Sequence, residues 1–211
     1  SWSIVIMSLY ANYVFPVVLD IATKPLTPQR QQTIALAQGR VLEIGIGTGA
    51  NLPFYTSQAQ EIIGIEPELA MLKKAEFMVK KAPANTVVKL AVGDAHQLEF
   101  PDNSFDTVIM CLVLCTIPNP LQALKEAYRV LKPDGQLLFL EHVRAPSAWV
   151  ASCQNAINPI WKYLACGCQL NRDTEATMVQ AGFSFSQIQR FEHPKLISVG
   201  GSIIQGVAVK H

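Results

Sequence analysis

Val41-Leu42-Glu43-Ile44-Gly45-Ile46-Gly47-Thr48-Gly49-Ala50-Asn51 joins an apolar, strand-like run to a turn with three glycines at alternate positions. Glycine has no Cβ, so the chain can turn sharply there and a ligand can lie against bare backbone. The next apolar run, Ile62-Ile63-Gly64-Ile65, ends on Glu66. That carboxylate stands about 20 residues beyond the loop, the distance at which a dinucleotide-type fold presents an acid to a ribose. The pattern implies a nucleoside gripped by its ribose hydroxyls, with its tail over the glycines.

The spacing bears on which nucleoside. A pyrophosphate reader uses G-x-G-x-x-G and aims a helix N-terminus at the phosphates. Here the glycines are 45, 47 and 49, and Glu43 precedes them. A carboxylate there repels phosphate and suits a cationic ligand. The pattern E-x-G-x-G-x-G resembles motif I of the class I S-adenosylmethionine (SAM) methyltransferases. SAM carries an ammonium, a sulfonium and no phosphate, which matches that sign. The loop alone leaves open an ordinary strand-turn-helix of another doubly wound enzyme.

Composition narrows the class. The chain of 211 residues suffices for one domain with a sizeable core. A net charge of +1 without basic runs or interleaved aromatics speaks against a nucleic-acid groove. Charged residues make up only 16% and hydrophobic ones 50%, which leaves apolar surface for a large core, a substrate pocket or a membrane. Five cysteines without an evident signal peptide point to a reducing, cytoplasmic compartment rather than a disulfide framework.

Periodicity and turn residues outline one α/β domain over 28–211, behind an apolar helical arm over 1–27. Asn12, Pro16 and Asp20 interrupt the arm, so it is expected to pack on the domain or lie on a surface rather than span a bilayer. Helices are expected over 28–36, 68–81, 119–131 and 174–181. Strands are expected over 40–44, 61–66, 86–92, 105–110, 136–141, 183–191 and 202–209. Lys132-Pro133-Asp134-Gly135 reads as a breaker ahead of the fifth strand. A helical insertion begins near 147 and, with its following loop, forms a lid to about 170. The alternation implies a doubly wound, mostly parallel seven-stranded sheet, and the short last link implies an antiparallel pair at one edge.

Later motifs fall in order. Gly93-Asp94-Ala95-His96, Phe105-Asp106-Thr107-Val108 and Arg129-Val130-Leu131-Lys132-Pro133-Asp134-Gly135-Gln136-Leu137 resemble successive segments of the class I methyltransferase fold, Rossmann-like in outline. A narrower likeness rests on Gly47-Thr48-Gly49-Ala50-Asn51, Leu112-Val113-Leu114-Cys115, Glu141-His142-Val143, Asn158-Pro159-Ile160-Trp161, Gly167 to Arg172 and Gly206 to Lys210. Together these resemble the methyltransferase-like thiol S-methyltransferases of animals, which methylate hydrogen sulfide and small or alkyl thiols with SAM. That family has a longer apolar anchor ahead of this arm, most or all of it absent from this sequence. It also has a Cys where Ile46 stands.

The resemblance implies a set of sites. Glu43, Gly45, Gly47 and Gly49, with Asn51, hold the methionine end of SAM. Glu66 holds the ribose, with Pro67 and Met71 beside it. Asp94 and Ala95 read the adenine, a carboxylate suiting an exocyclic amine. Cys111, Leu112 and Val113 complete the cofactor shell. Arg129 and Lys132 read as helix C-terminal cations.

Residues just after the fourth and fifth strands lie where an open parallel sheet binds ligands. His142 is therefore the candidate proton acceptor or substrate orienter, or else a histidine that caps the strand end. Cys115 is the second catalytic candidate. A thiol acceptor forms some thiolate near neutral pH without a strong base. Leu114, Trp161, Tyr10 and Tyr13 are expected to shape an apolar acceptor pocket, although aromatics at helical spacing are more often core. Cys111 reads as a packed small hydrophobe, and Cys168 as part of the lid. Cys111-x-x-x-Cys115 and Cys166-x-Cys168 could suggest metal or redox chemistry, and three cysteines could converge with His142, but the spacing is not diagnostic of zinc and no metal is expected.

Other readings stay open at this level. The acceptor could be an oxygen on a quinone or phenol, a lipid headgroup, or an arsenic or selenium species. The chain could bind SAM without turnover. A nicotinamide-dependent oxidoreductase is disfavoured by Glu43 and the glycine spacing. The expected partners are a small thiol or sulfide, no nucleic acid, and a membrane surface touched peripherally by the arm. The oligomeric state is not legible.

Overall fold

The computed structural model describes residues 9–10, 14–194, 196 and 200–211. Helix α1 covers Phe15–Thr23, and a 3-10 turn at Lys24–Leu26 leads into α2, Thr27–Ile34. Pro28 sits in the first turn of α2, where its missing N–H costs nothing. Then follow β1 (Gly39–Ile44), β2 (Ala59–Glu66), α3 (Leu69–Met78), β3 (Val87–Val92) and β4 (Phe105–Cys111). After these come α4 (Pro120–Val130), β5 (Leu131–His142), α5 (Ala148–Leu164), α6 (Thr174–Gln180), β6 (Phe183–Glu192) and β7 (Ser202–Lys210).

The strands form one seven-stranded sheet in the order β3-β2-β1-β4-β5-β7-β6. Strands β1 to β5 run parallel to one another, and β7 runs antiparallel to both β5 and β6. The antiparallel strand is therefore not the outermost one. The crossover through α6 carries β6 to the edge, and the hairpin return fills the gap between β6 and β5.

Strands β1, β2, β4 and β5 are largely buried on both faces and alternate between two cores, as the two-residue period of a strand requires, whereas the edge strand β3 is largely exposed. On one face Leu42, Ile44, Val108, Met110, Leu137 and Phe139 pack with Ala123, Leu124 and Ala127 of α4 and Met178 of α6. On the other, Val41, Ile109, Leu138 and Leu140 pack with Ile34 of α2 and Leu72 of α3.

Three expectations change. The segment Lys132 to Gly135 does not precede the fifth strand but bulges within it. Phe105 pairs with Leu131 and Thr107 with Gln136, so four residues on β5 face Asp106 alone. Lys132 Nζ reaches Asp106 Oδ1 at 2.5 Å across that bulge. The helix expected over 68–81 ends at Met78 and tightens to a 3-10 turn, Val79–Lys81. Finally, α5 buries little of itself: only Ala151 and Gln154 are buried, while Trp149, Ile160 and Tyr163 are 76%, 67% and 62% exposed. Its aromatics are not core. Among the described residues, no helix is long and apolar enough to cross a membrane.

Candidate active site

Every parallel strand delivers its C-terminal end to the same rim, and a cavity of about 350 Å³ opens there. Its floor is the glycine loop. Gly45, Gly47 and Gly49 have φ of +72°, +55° and +80°, the left-handed region that side chains disfavour. Gly45 is also required by close approach, because a Cβ there would stand 2.3 Å from Val113 Cγ2. Gly47 lines the cavity, and its N–H donates to Glu66 Oε2 at 3.0 Å. Glu66 Oε1 accepts from the Glu68 N–H at 3.2 Å. The carboxylate at the end of β2 is thus fixed by two backbone donors on the cavity wall. Burial outweighs those bonds and raises its pKa.

Glu43 behaves differently. It is 1% exposed and lies behind the loop, off the cavity lining. Asn51 Nδ2 and Tyr55 OH each donate to one of its oxygens at 2.6 Å. Arg30 Nη1 in turn donates to Asn51 Oδ1 at 2.9 Å. Burial lifts the Glu43 pKa to about 7 against the pull of those donors and of Arg30. Glu43 and Asn51 thus brace the loop from beneath, and neither is on the cavity lining.

Pro67, Met71, Asp94, Ala95, Leu112 and Val113 line the cavity with Glu66. Asp94 Oδ1 accepts from the His96 backbone N–H at 2.8 Å and lies 2.6 Å from its Nδ1, an arrangement that lowers the Asp94 pKa. His96 also lines the cavity, although the sequence motif points only to its neighbours Asp94 and Ala95. Gly49, Asn51, Cys111 and Leu114 are not brought to the lining. Cys111 and Leu114 pack in the two cores, and burial pushes the Cys111 thiol up to about 12.

The far wall comes from the ends of β4 and β5 and from the segment after α5. Leu112 takes φ +57°, so the chain leaves β4 in a sharp turn. Glu141 Oε1 holds that turn by accepting from the Val113 and Leu114 N–H groups at 2.8 and 2.9 Å. Burial raises the Glu141 pKa to about 7. The turn delivers Cys115, β5 delivers His142, and the segment after α5 delivers Cys168, all onto the cavity. His142 Nε2 lies 2.9 Å from Cys168 Sγ. Burial opposes the charged ring, but the Cys168 sulfur and Glu141 outweigh it and raise the His142 pKa.

From the sequence Cys168 reads as part of the lid and, with Cys166, as a pair of undiagnostic metal spacing. Its place here depends on Arg172, whose guanidinium donates to the carbonyls of Leu114 and Ile117, and on the Gln169 N–H, which donates to Cys115 O at 2.9 Å. No local motif signals such cross-chain ties.

The arm closes the cavity from above. Leu19 and Thr23 of α1 line it, and Thr48 Oγ1 donates to Asp20 Oδ1 at 3.2 Å, which joins α1 to the glycine loop. Tyr10 does not reach the lining; its hydroxyl donates to Leu164 O at 2.9 Å and ties the arm to α5. Trp161 is also off the lining and 40% exposed, and Tyr13 lies outside the described residues.

A bare-backbone floor, a fixed carboxylate on β2 and an acceptor carboxylate after β3 suit the parts of SAM: an uncharged tail path, a ribose and an exocyclic amine. The methyltransferase-domain family profile matches residues 42–139. Thiol S-methyltransferase TMT1B of Homo sapiens is 38% identical over 184 residues, covering 82% of this chain and 72% of that protein. Phosphatidylethanolamine N-methyltransferase of Cereibacter sphaeroides is 33% identical over 119 residues, covering 56% of this chain and 58% of that protein. In fold, the chain superposes on a SAM-dependent methyltransferase of Thermotoga maritima with a TM-score of 0.67 at 24% identity, covering 97% of this chain and 99% of the other. The chain is a class I SAM-dependent methyltransferase and belongs to the family of the thiol S-methyltransferases.

Proposed function

We propose that the acceptor is a small sulfur nucleophile: hydrogen sulfide, methanethiol or an alkyl thiol. The observation that carries this reading is the single cavity in which the cofactor wall faces Cys115, His142 and Cys168, with apolar Leu19, Leu112 and Ile117 around them. SAM, when bound, supplies a methyl group on a sulfonium, ready for in-line displacement. Gly45 and Gly47 provide the backbone floor, Glu66 takes the ribose hydroxyls, and Asp94 takes the adenine amine. His142 Nε2 orients the acceptor or takes its proton, a modest task for a thiol whose ordinary pKa is ~8.5. Leu19 and α1 keep water from the acceptor end. The thiol S-methyltransferase relatives support the sulfur reading, whereas the phosphatidylethanolamine N-methyltransferase relative favours a lipid amine as the second.

S-adenosylhomocysteine formation with sulfide, methanethiol, a longer alkyl thiol, a phenol and a phospholipid separates them. Turnover with the sulfur acceptors alone is expected. Turnover confined to the phenol or phospholipid would keep the enzyme class and overturn the acceptor.

We also propose a cytoplasmic enzyme in peripheral contact with a lipid surface; the exposed apolar side chains of α1, Val17, Val18 and Ile21, and of α5, Trp149, Ile160 and Tyr163, support the lipid contact.

A further inference from the structure

Three soft donors meet at one end of the cavity, each from a different element. The Sγ atoms of Cys115 and Cys168 and a ring nitrogen of His142 all lie within 4.8 Å of one another. We propose that Cys115, His142 and Cys168 form a binding site for a thiophilic divalent cation, zinc by chemistry, with its fourth coordination position open to the cavity.

The donor set favours zinc: thiolate and imidazole ligands suit it, and hard, oxygen-seeking cations do not compete for them. Three protein ligands with one open position is the pattern of a catalytic zinc, whereas structural zinc is closed by four. All three residues line the cavity that also holds Gly45, Gly47 and Glu66, so the open position faces the space where an acceptor would sit. The scaffold around the site is costly and specific. Cys166 and Gly167 both adopt left-handed φ, +47° and +98°, and the turn they make brings Cys168 back toward β4. For a cysteine that conformation is uncommon and strained. The Gln169 N–H bond to Cys115 O, at 2.9 Å, then ties the two cysteine-bearing segments together. Sequence spacing hides the site because the donors stand on three separate elements at 115, 142 and 168.

The consequence for chemistry rests on the sulfur acceptor proposed above. A thiol R–SH entering the open position loses its proton to water and is held as a thiolate. Its sulfur lone pair forms a bond to the methyl carbon. The carbon–sulfonium bond breaks, its electron pair stays on sulfur, and S-adenosylhomocysteine leaves. The neutral thioether R–S–CH3 is a poor ligand and departs, and the cation keeps its charge throughout. The cation thereby takes over the modest proton-removing role given to His142 above, because the His142 ring nitrogen is then a ligand rather than a base.

The test is metal binding by the full chain, read without any acceptor. The metal-free protein, kept reduced with a phosphine and with its five thiols verified by titration, is titrated with Co2+. One equivalent is expected to raise thiolate-to-cobalt charge-transfer absorption with the visible bands of a tetrahedral site, and Zn2+ is expected to displace it. Cys115→Ser and Cys168→Ser should each weaken Co2+ binding at least tenfold, and the double variant should abolish the charge-transfer band. Cys153→Ser should leave the band intact. Circular dichroism and SAM affinity establish that each variant is folded. Absence of the band in the reduced wild type overturns the proposal, as does a band that survives in the double variant. Metal binding without turnover of any thiol would leave the site standing and overturn the sulfur acceptor instead. Thiol turnover by a protein that binds no metal would do the reverse.

Discussion

Gly45 and Glu43 make the sharpest predictions at the scale of single residues. Gly45→Ala combines a left-handed φ with a Cβ 2.3 Å from Val113 Cγ2. Strain and clash together are on the order of 2 kcal/mol, so SAM affinity should fall roughly tenfold or more. Isothermal calorimetry reads this directly, and an unchanged Kd would mean that the loop does not need its close approach to Val113. Glu43 makes a pH prediction. Its folded pKa is about 7 against an ordinary 4.5, so the native state holds a proton that the unfolded chain releases first. Stability from this group is fully present below pH ~4.5 and is lost as the pH rises through ~7. Glu43→Gln removes that titration while costing a constant amount, because one donor, Asn51 or Tyr55, then faces the amide NH2. The stability of Glu43→Gln relative to wild type should therefore rise between pH 5 and pH 8, by up to on the order of 3 kcal/mol. Urea unfolding at the two pH values checks the sign. A difference that stayed flat would remove Glu43 as a titrating group.

At the scale of elements, two ties hold the segments that cover the sheet. Arg172 donates to the carbonyls of Leu114 and Ile117, so the segment between α5 and α6 is pinned to the turn after β4. Arg172→Met leaves those carbonyls without their donor and should cost about 1–3 kcal/mol in unfolding experiments. It should also lower turnover, because both Cys115 and Cys168 depend on that tie for their placement. Helix α1 is the second case: Leu19 and Thr23 line the cavity, and Asp20 accepts from Thr48. A chain starting at Lys24 should bind SAM more weakly and release it faster in stopped-flow measurements. A chain shortened only by residues 1–15 keeps Leu19, Asp20 and Thr23 and should lose much less. Equal behaviour of the two truncations would separate α1 from cofactor retention.

For the whole molecule, the two cores and the site answer different demands. The central strands are buried on both faces, which makes a rigid rim for the ligand-binding loops. The apolar surface left over is concentrated in part on α1 and α5. Flotation with anionic phospholipid vesicles should carry the protein to the lipid fraction. A variant with Trp149, Ile160 and Tyr163 all changed to serine should remain largely free, and equal flotation of both proteins would rule α5 out as the contact. Because SAM binds the folded state alone, a concentration 100 times its Kd should add about 2.7 kcal/mol to global stability, visible as a raised melting temperature.

The sequence by itself determined the strands, the crossover helices and the glycine loop, because those rest on local signals: apolar periodicity, alternating glycines and carboxylates at strand ends. It placed Glu66, Asp94 and His142 at the ends of their strands, where the backbone alone brings them to the common rim. Only the tertiary structure decided which way side chains turn once packed. Glu43 lies one strand step from the loop, yet Asn51 and Tyr55 draw it into the protein wall. The aromatics of α5 follow a helical period, yet Trp149 and Tyr163 are largely exposed. The meeting of Cys115 and Cys168 with His142 is legible only as an open possibility that the spacing does not select. It depends on a left-handed turn at Cys166 and Gly167 and on hydrogen bonds between segments more than fifty residues apart in sequence, and no window of sequence contains both partners of such a bond.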